Sequence, residues 1–139
     1  MSEQNEAVRL LDPEKVTYLV TTGEDGRPDV RAMAIIEAEG LKTIWMITGK
    51  CSDKYRQLSK NPDCLIYSTE LEDTASYQEL RLWGRMELLD DAESINRVWR
   101  DDYAAYFPEG KNDPNLCVLK FTANCGVLQT PAGKSKLTL

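Results

Sequence analysis

The sequence contains no histidine, and this absence constrains its chemistry more than any other feature of its composition. Without imidazole, the chain offers no histidine general base, no Ser-His-Asp or Cys-His centre and no zinc site of the kind that needs histidine. None of the four cysteines stands in a Cys-x-x-Cys pair, so the usual spacing of metal-binding cysteines is missing too. We therefore expect any chemistry to come from other side chains or from a bound cofactor.

Positive charge is also in short supply, with 17 Lys and Arg against 23 Asp and Glu and a net charge of −6. A surface that binds nucleic acid or an anionic membrane needs an excess of positive charge, so we expect neither partner. No apolar run approaches the ~20 residues of a membrane-spanning helix, and the acidic start of the chain has no signal-peptide pattern. Together with free cysteines, which are typical of a reducing compartment, these features predict a cytoplasmic protein.

The length of 139 residues is that of one domain, with 42% hydrophobic and 29% charged residues. We expect a single domain over 1–139 that needs no disulfide or metal to hold its core. Ala7, Val8 and Leu11 fall on one side of a helix, which predicts an N-terminal helix within residues 1–12. The residues from 131 to 139 are predicted to form a polar, loosely ordered tail.

Between these ends, most of the chain has the pattern of antiparallel strands. Short turns join the first three strands and are too short for parallel crossovers. Gly84 interrupts the longest strand and indicates either a bulge or a sharp barrel corner. Short helices are predicted over 52–60 and after Asp90, which can cap the third helix. The predicted class is mainly β, a small six-stranded antiparallel barrel with short helices. Its strands are predicted at 16–22, 28–37, 41–48, 64–69, 76–89 and 116–128.

The segment that joins the third strand to the next helix has the components of an anion site. Thr48 and Ser52 offer hydroxyls, Lys50 and Lys54 offer positive charge, and the helix start offers free N–H groups, a combination that suits a phosphate. The pattern of a P-loop is absent. Arg31 would add a bidentate donor if the strand register brings it beside Thr48. The alternative is that Ser52 only caps the helix and both lysines are solvated.

Three aromatic residues after the third helix, Tyr103, Tyr106 and Phe107, are interpreted as a packing or subunit-contact cluster. Trp83 alternates with the apolar face of the longest strand and therefore points away from the predicted core. An outward tryptophan between arginines is a typical anchor of a subunit interface, so we expect the chain to dimerise through it.

Several stretches, in this order, resemble the pyridoxamine 5′-phosphate oxidase-like FMN-binding split barrels, and most of all their bacterial general stress protein branch. The resemblance covers nearly the whole chain. It implies a six-stranded split barrel that works as a homodimer, with FMN, or alternatively FAD, in two grooves at the dimer interface. The matching stretches are Gly26-Arg27-Pro28 through Arg31-Ala32-Met33, Trp45-x-x-Thr48-x-x-x-Ser52-x-Lys54, Asn61-Pro62, Gly84-Arg85-Met86-Glu87, the helix with Trp99, Phe107-Pro108, Asp113-Pro114 and Val118-Leu119-Lys120-Phe121-Thr122.

The resemblance also implies roles for particular residues. By motif position, Arg31, Ser52 and Lys54 would hold the phosphate. The backbone near Ile47 and the side chain of Thr48 would contact the phosphate, the ribityl chain or the ring, and the strand at Arg31 would lie along the isoalloxazine. No metal is expected. The candidate cofactor-binding residues are Arg31, Ala32, Met33, Ile47, Thr48, Lys50, Ser52 and Lys54, with Gln78 and Glu79 as further candidates from the partner subunit.

Three departures from the family pattern limit what the resemblance implies. The vitamin oxidases carry an Arg–His substrate pair near their C-terminus, and a chain without histidine is not expected to convert pyridoxamine phosphate. Asp53 stands where the oxidases often have a basic residue, which should weaken the affinity for phosphate. The stretch from Cys125 to Gln129 lacks the aromatic residue that relatives often place near the end of the last strand.

The leading hypothesis is a dimeric flavoprotein of the oxidoreductase type, with substrate and electron donor left open. One alternative is a flavin-binding or ligand-binding module without turnover, such as a carrier or a stress sensor. Another is a split-barrel dimer that has lost its cofactor. The sequence offers no residue that we can assign as general acid or base, which keeps these alternatives open.

Overall fold

The structure is a computed structural model that describes residues 2–139. It contains three helices, α1 at Glu3–Arg9, α2 at Asp53–Lys60 and α3 at Ala92–Val98, with 3₁₀ turns at Asp101–Ala105 and Gly110–Asn112. The eight strands are β1 Val16–Thr22, β2 Pro28–Ala34, β3 Glu37–Glu39, β4 Thr43–Gly49, β5 Asp63–Asp73, β6 Ser76–Leu89, β7 Leu116–Thr130 and β8 Gly133–Lys136. Over residues 2–139, every helix is too short or too polar to cross a bilayer.

The strands form one antiparallel sheet that closes on itself. Their order is β2-β1-β5-β6-β7-β4-β3, with β8 beside β7. The two outermost strands, β2 and β3, are separated in the chain only by Ile35 and Ile36. Three peptide steps span at most about 11 Å, so the sheet must curl until its edges meet. The result is a barrel with a seam at Ile35-Ile36.

The prediction of six strands is wrong at two places. The predicted strand over 28–37 breaks at the seam, because the chain must leave β1 and turn to pair with β4. Ile35 is buried in the barrel core and Ile36 in a second cluster outside it. The predicted loose tail contains β8, and the Leu137 N–H beyond it donates to the Gly126 carbonyl at 2.9 Å. Leu137 also packs against the barrel core, which holds the tail in place.

The barrel interior is filled by side chains that alternate along the strands. Leu19, Met46, Leu82 and Phe121 are each fully buried and belong to one continuous core. A smaller cluster lies on the outside of β4 and β7, beneath α3 and the 3₁₀ turns that follow it. Its members are Ile36, Trp45, Ile95, Val98, Phe107, Leu116 and Val118. α3 and the following turns are therefore fixed against the outer side of the barrel close to the seam.

The bulge predicted at Gly84 is confirmed by a shift in the register between β6 and β7 at Trp83/Gly84. A side chain at Gly84 would collide with the Thr122 carbonyl and approach Phe121 Cζ to 2.8 Å, so the two strands can come this close only with glycine there. Ser52 caps α2 as predicted, since its Oγ accepts the Tyr55 N–H at 3.3 Å.

The cap of α3 is Asp91 and not the predicted Asp90. Asp91 Oδ2 accepts the Ser94 N–H at 3.0 Å. Asp90 instead accepts a hydrogen bond from Lys50 Nζ at 2.7 Å. The side chain of Asp90 is thus held by a cation from another element, which leaves the next acidic residue to cap the helix.

Apolar side chains are exposed together on the outer side of β2, β1, β5 and β6. In the strand register, Val20 lies between Val30 and Leu65, and Leu65 lies beside Trp83. Val30 is 59% exposed and Trp83 39% exposed. This apolar outer face comprises Val16, Tyr18, Val20, Val30, Leu65, Tyr67 and Trp83.

Candidate functional site

A groove of about 570 Å³ lies along the seam of the barrel. One wall is the chain from Ala32 to Ile36, where β2 ends. Ile47 of β4 and Lys54 of α2 lie on it as well, and a short segment after α3 closes the other side with Arg100, Tyr103 and Tyr106. The volume is within the range of about 300–1,000 Å³ that is usual for small-molecule sites. We call this cavity the seam groove.

The seam groove has an excess of positive charge, as does a smaller cavity of about 340 Å³ lined by Lys50, Arg56 and Lys60. The described lining residues of the seam groove include two cations, Lys54 and Arg100, and no Asp or Glu. Cavities of about 480 Å³ elsewhere are lined by acidic and basic side chains together, for example by Arg9 and Glu70, which form an ion pair at 2.5 Å. In an acidic chain, a groove with apolar walls and an excess of positive charge is suited to a flat, anionic ligand.

Lys54 is half-buried and makes no ion pair with the other described residues. The nearby carboxylates are engaged by other cations, Asp53 by Arg56 at 2.9 Å and Asp29 by Arg31 at 3.0 Å. Burial lowers the pKa of Lys54, and the positive charge of Arg31 lowers this pKa further, while Asp53 opposes both. Two cations thus lie close together with incomplete compensation, and an anion between them would relieve both the repulsion and the cost of burial.

Arg31 is held by a network of hydrogen bonds behind the groove. Its Nη1 donates to Thr21 Oγ1 at 2.8 Å and to the Leu19 carbonyl at 3.2 Å. Its Nη2 donates to Asp29 Oδ2 and to Gln57 Oε1, both at 3.0 Å. The guanidinium is therefore fixed in place rather than free to follow solvent. The suggested register beside Thr48 does not form, because β2 pairs with β1 and puts Arg31 opposite Leu19.

Gln57 organises this network, although nothing in the sequence pattern marks it as a site residue. Its side chain is buried, at 8% exposure. Its Oε1 accepts from both Thr21 Oγ1, at 2.5 Å, and Arg31, while its Nε2 donates to Asp29 Oδ2 at 3.0 Å. Gln57 lies beside Leu58 on the buried side of α2, and a buried amide needs hydrogen-bond partners, which this network supplies.

The two predicted hydroxyls are engaged within the turn between β4 and α2. Ser52 Oγ donates to the Gly49 carbonyl at 2.7 Å and lies 3.0 Å from Thr48 Oγ1. Since Ser52 has a single hydroxyl proton, Thr48 is the donor in that contact. Thr48 is buried at 5% exposure and does not line the seam groove. Ser52 thus caps α2, and a role for either hydroxyl in binding phosphate stays a prediction.

Of the predicted cofactor-binding residues, Ala32, Met33, Ile47 and Lys54 line the seam groove and Arg31 does not; their contact with a cofactor stays a prediction. Lys50 points elsewhere. Its ammonium pairs with Asp90 at 2.7 Å, and this hydrogen bond raises the pKa of Lys50.

Gln78 and Glu79 lie on β6, outside the seam groove of their own chain. Gln78 Oε1 accepts from Arg9 Nη2 at 2.5 Å, and Glu79 accepts the Tyr67 hydroxyl proton. Their proposed contact across a subunit interface is not tested by a single chain and stays a prediction.

Arg100, Tyr103 and Tyr106 are the groove residues that the sequence interpretation missed. Tyr103 packs edge-to-face against Trp99, with ring centroids 5.9 Å apart. Tyr106 is 78% exposed, whereas Phe107 is buried in the smaller cluster outside the barrel and Tyr103 packs against that cluster. The exposure of Tyr106 beside a cavity is apparent only in the fold and marks it as part of a binding surface.

The family model described as "Pyridoxamine 5'-phosphate oxidase like" matches residues 3–137 of the chain. Among solved structures, a protein related to general stress protein 26 of Bacillus subtilis (pyridoxinephosphate oxidase family) from Clostridium acetobutylicum is 29% identical, with a TM-score of 0.83 over 98% of this chain and 94% of that one. General stress protein 26 from Bacillus anthracis is 14% identical, with a TM-score of 0.75 over 99% of this chain and 100% of that one.

A heme binding protein from Mycobacterium smegmatis is also similar in fold. It is 16% identical, with a TM-score of 0.78 over 99% of this chain and 58% of that one. Among curated proteins, none is similar enough to count as a match. The likenesses at 14% and 16% identity concern the fold alone.

Proposed function

The chain belongs to the pyridoxamine 5′-phosphate oxidase-like family, and from that premise we propose that it binds a flavin in the seam groove. FMN is the flavin we favour, with FAD as the alternative. The observation that carries the proposal is the pairing of an apolar groove with a half-buried Lys54 that lacks an acidic partner among the described residues. A flavin has the complementary form, a flat and largely apolar ring joined to a phosphate.

The apolar walls of the groove suit the ring. Met33 of β2 and Ile47 of β4 line the groove, and the small side chains of Ala32 and Ala34 add to its apolar lining. Burying the two faces of a flat ring against such side chains contributes roughly 25 cal/mol for each Å² removed from water. Apolar contact can thus supply much of the affinity without a specific polar contact to the ring.

The phosphate end is assigned to Lys54, with Arg31 behind it. Lys54 offers three N–H donors on a flexible stem, and none of them is used by another described side chain. Arg31 is already fixed by Gln57, Thr21 and Asp29, so its positive charge is in position before a ligand arrives. Preorganised charge of this kind favours binding because little reorganisation remains to be done.

The apolar outer face supports the proposal that the protein acts as a homodimer. Contiguous exposed apolar patches are rare on monomers and mark interaction surfaces. The face includes Val30 and Tyr18, and β2, which carries Val30, also forms the wall of the seam groove. A second copy bound to this face would therefore lie next to the groove and contribute to the flavin site.

The activity we propose is that of a flavin-dependent oxidoreductase acting on a small molecule. A bound flavin supplies the electron-transfer chemistry, and the protein binds it, orients it and excludes water. A binding protein without turnover is the second candidate, since the described lining of the groove contains no carboxylate and the chain contains no histidine. Tyr103 and Tyr106 are then the lining residues with an ionisable proton other than the two cations, and burial raises the pKa of Tyr103.

The test is to purify the protein gently and to identify any bound chromophore by its absorbance and by mass spectrometry after release. We expect a flavin, and excess FMN should raise the melting temperature of protein stripped of it. The proposal would be contradicted if the protein carried no flavin and its melting temperature did not change with FMN or FAD. A released haem would assign the groove to the ligand of the heme binding relative, with ligation by side chains other than histidine.

Turnover of a nicotinamide donor separates the two candidate functions. If the flavin-loaded protein oxidises NADPH or NADH faster than the same concentration of free flavin, the oxidoreductase reading holds. A rate equal to that of free flavin would leave the binding module as the function. Both measurements use the same preparation, so a failure to bind flavin and a failure to turn over are observed separately.

A further inference from the structure

Arg100 differs from the other arginines of the described chain in its lack of an acidic partner. Each of the others forms an ion pair with a carboxylate at 3.7 Å or less. Arg100 makes one long contact, from Nη2 to the Ile36 carbonyl at 3.5 Å. Its guanidinium carries five N–H donors, most of which are left for another partner. It is exposed and lines the seam groove, so a ligand in the groove can reach it.

Arg100 and Lys54 line the seam groove from different elements, Lys54 from α2 and Arg100 from the segment after α3. Lys54 is near enough to Arg31 for the charge of Arg31 to lower its pKa, while Arg100 contacts the backbone at Ile36. Arg31 lies on β2 and Ile36 at the seam, five positions further along the chain. The groove therefore has two cations on different elements, which we call its Lys54 end and its Arg100 end, and its apolar lining includes Met33 and Ile47.

Tyr103 and Tyr106 border the Arg100 end. Tyr103 is held edge-to-face by Trp99, so its ring and hydroxyl have a fixed position. Burial raises the pKa of Tyr103, and Asp102 acts in the same direction, while the positive charge of Arg100 opposes them, which places the guanidinium and the phenol in one neighbourhood. The exposed ring of Tyr106 extends the aromatic surface at the mouth of the groove.

We propose that the Arg100 end of the seam groove binds the carboxylate of a small aromatic acid, which is the substrate class of this site. The guanidinium matches a carboxylate with two parallel N–H···O bonds, and the Tyr103 hydroxyl adds a donor. The aromatic ring of the ligand lies against Tyr103 and Tyr106. A monoanion is favoured over a phosphate ester because Asp101 and Asp102, the residues that directly follow Arg100, would repel a dianion more strongly.

This inference rests on the proposed function in one respect: Lys54 and its end of the groove are given to the phosphate of the flavin. Arg100 then binds the small molecule that exchanges electrons with the flavin. In this arrangement Lys54 binds the cofactor and Arg100 binds the substrate.

The experiment measures binding of benzoate and of neutral benzamide by isothermal titration calorimetry, on the purified protein loaded with FMN. The two probes have the same ring and differ in the charge of one group. The variants are Arg100→Gln and Tyr103→Phe, and Arg27→Gln is the matched control, because Arg27 is 85% exposed in its side chain and pairs only with Asp25 on a hairpin. Circular dichroism melts confirm that each variant folds.

We expect benzoate to bind at least about tenfold more tightly than benzamide, because hydrogen bonds to a charged group are stronger than those to a neutral one. Arg100→Gln should abolish this preference, Tyr103→Phe should reduce it and Arg27→Gln should leave it unchanged. Equal binding of the two probes would overturn the proposal. So would a preference that survives Arg100→Gln but is lost in Lys54→Gln, because benzoate would then occupy the phosphate end.

The failure of each proposal gives its own signal. Without any uptake of FMN, seen in the absorbance of the loaded sample, the proposed function fails. The same titrations on the unloaded protein then decide whether Arg100 discriminates benzoate from benzamide. With uptake of FMN but no effect of Arg100→Gln, only the inference about the substrate fails. Inorganic phosphate, used as a third probe, should bind at the Arg100 end more weakly than benzoate, and tighter binding there would contradict the choice of a carboxylate.

Discussion

The amide oxygen of Gln57 accepts a hydrogen bond from Arg31 Nη2 at 3.0 Å, and through it the helix α2 fixes the guanidinium of strand β2. The same oxygen accepts from Thr21 on β1, and the amide nitrogen donates to Asp29. One buried side chain thus connects α2, β1 and β2 at the Lys54 end of the groove. The arrangement makes Gln57 a positioning residue, which acts on the ligand through Arg31.

Replacing Gln57 by leucine tests this role. The variant leaves Thr21 and Arg31 without their shared acceptor, so we expect the free energy of unfolding to fall by about 1–3 kcal/mol. The affinity for FMN should also fall several-fold because Arg31 is no longer held. Urea melts and fluorescence titrations with FMN measure the two effects. In a control, Gln4→Ala on α1 should change stability by less than about 0.5 kcal/mol. Unaltered FMN affinity in a folded Gln57→Leu protein would contradict the positioning role.

We expect the charged Lys54 to lower the free energy of unfolding of the protein when no ligand is bound. Its pKa in the folded state lies below the ordinary 10.5, so the native state binds fewer protons than the unfolded state as the pH rises through this window. The charged lysine therefore destabilises the flavin-free protein below its folded pKa, and the penalty disappears as the pH approaches 10.5. We expect Lys54→Met to be more stable than the wild type near pH 7 and to lose this advantage in alkali.

Denaturant melts of flavin-free wild type and Lys54→Met across this pH range provide the measurement. The difference between the two proteins removes the contribution of all other titrating groups. With saturating FMN the order should reverse at pH 7, because only the wild type gains from the phosphate. A variant that is less stable than the wild type without flavin at pH 7 would show that Lys54 has a partner in solution.

Trp83 is expected to anchor the dimer. It is 39% exposed on the apolar outer face, beside Leu65 of the neighbouring strand. Trp83→Glu should raise the dimer dissociation constant by roughly 30-fold or more, which corresponds to the loss of about 2 kcal/mol that is typical of an interface anchor. Val8→Glu is the matched control, since Val8 is equally exposed but lies on α1. Light scattering over a dilution series measures the assembly, and a wild type that is monomeric at micromolar concentration would contradict the dimer.

The four cysteines should differ in their reactivity. Burial raises the pKa of Cys64 to about 12 and that of Cys117 to about 11, whereas Cys51 and Cys125 are exposed. Because the thiolate is the reactive form, Cys64 and Cys117 should react with a disulfide reagent at pH 8 only after unfolding. Cys125 pairs with Trp83 in the register of β6 and β7, so its labelling should slow on dimerisation and recover in Trp83→Glu. Equal rates for all four in the native protein would be inconsistent with this fold.

The sequence predicted those features that depend on local pattern. Alternation identified the long strand β6, the interior Gly84 indicated its bulge, and Ser52 marked the start of α2. Each of these follows from contacts within a few residues or from the sterics of one position. The resemblance to a family likewise identified Ala32, Met33, Ile47 and Lys54, which the fold gathers in one groove.

The features that the sequence did not predict depend on the closure of the barrel. The break at Ile35-Ile36 arises because β2 and β3 pair with opposite edges of one sheet, which no local pattern specifies. The direction of Lys50 is decided by Asp90, forty positions away along the chain. Arg100 reaches the groove only because α3 packs on the outside of β4, next to the seam. These residues have ordinary local sequence, and their roles come from tertiary structure.

The central claim is that Lys54 and the seam groove bind the phosphate and the ring of a flavin, and the most direct test compares FMN with riboflavin, which has the same ring and no phosphate. Both are titrated into flavin-free wild type and Lys54→Ala, with binding followed by flavin fluorescence. The wild type should bind FMN at least about tenfold more tightly than riboflavin, and Lys54→Ala should bind the two with equal affinity. No binding of FMN by the wild type, or a preference for FMN that is undiminished in Lys54→Ala, would contradict the account.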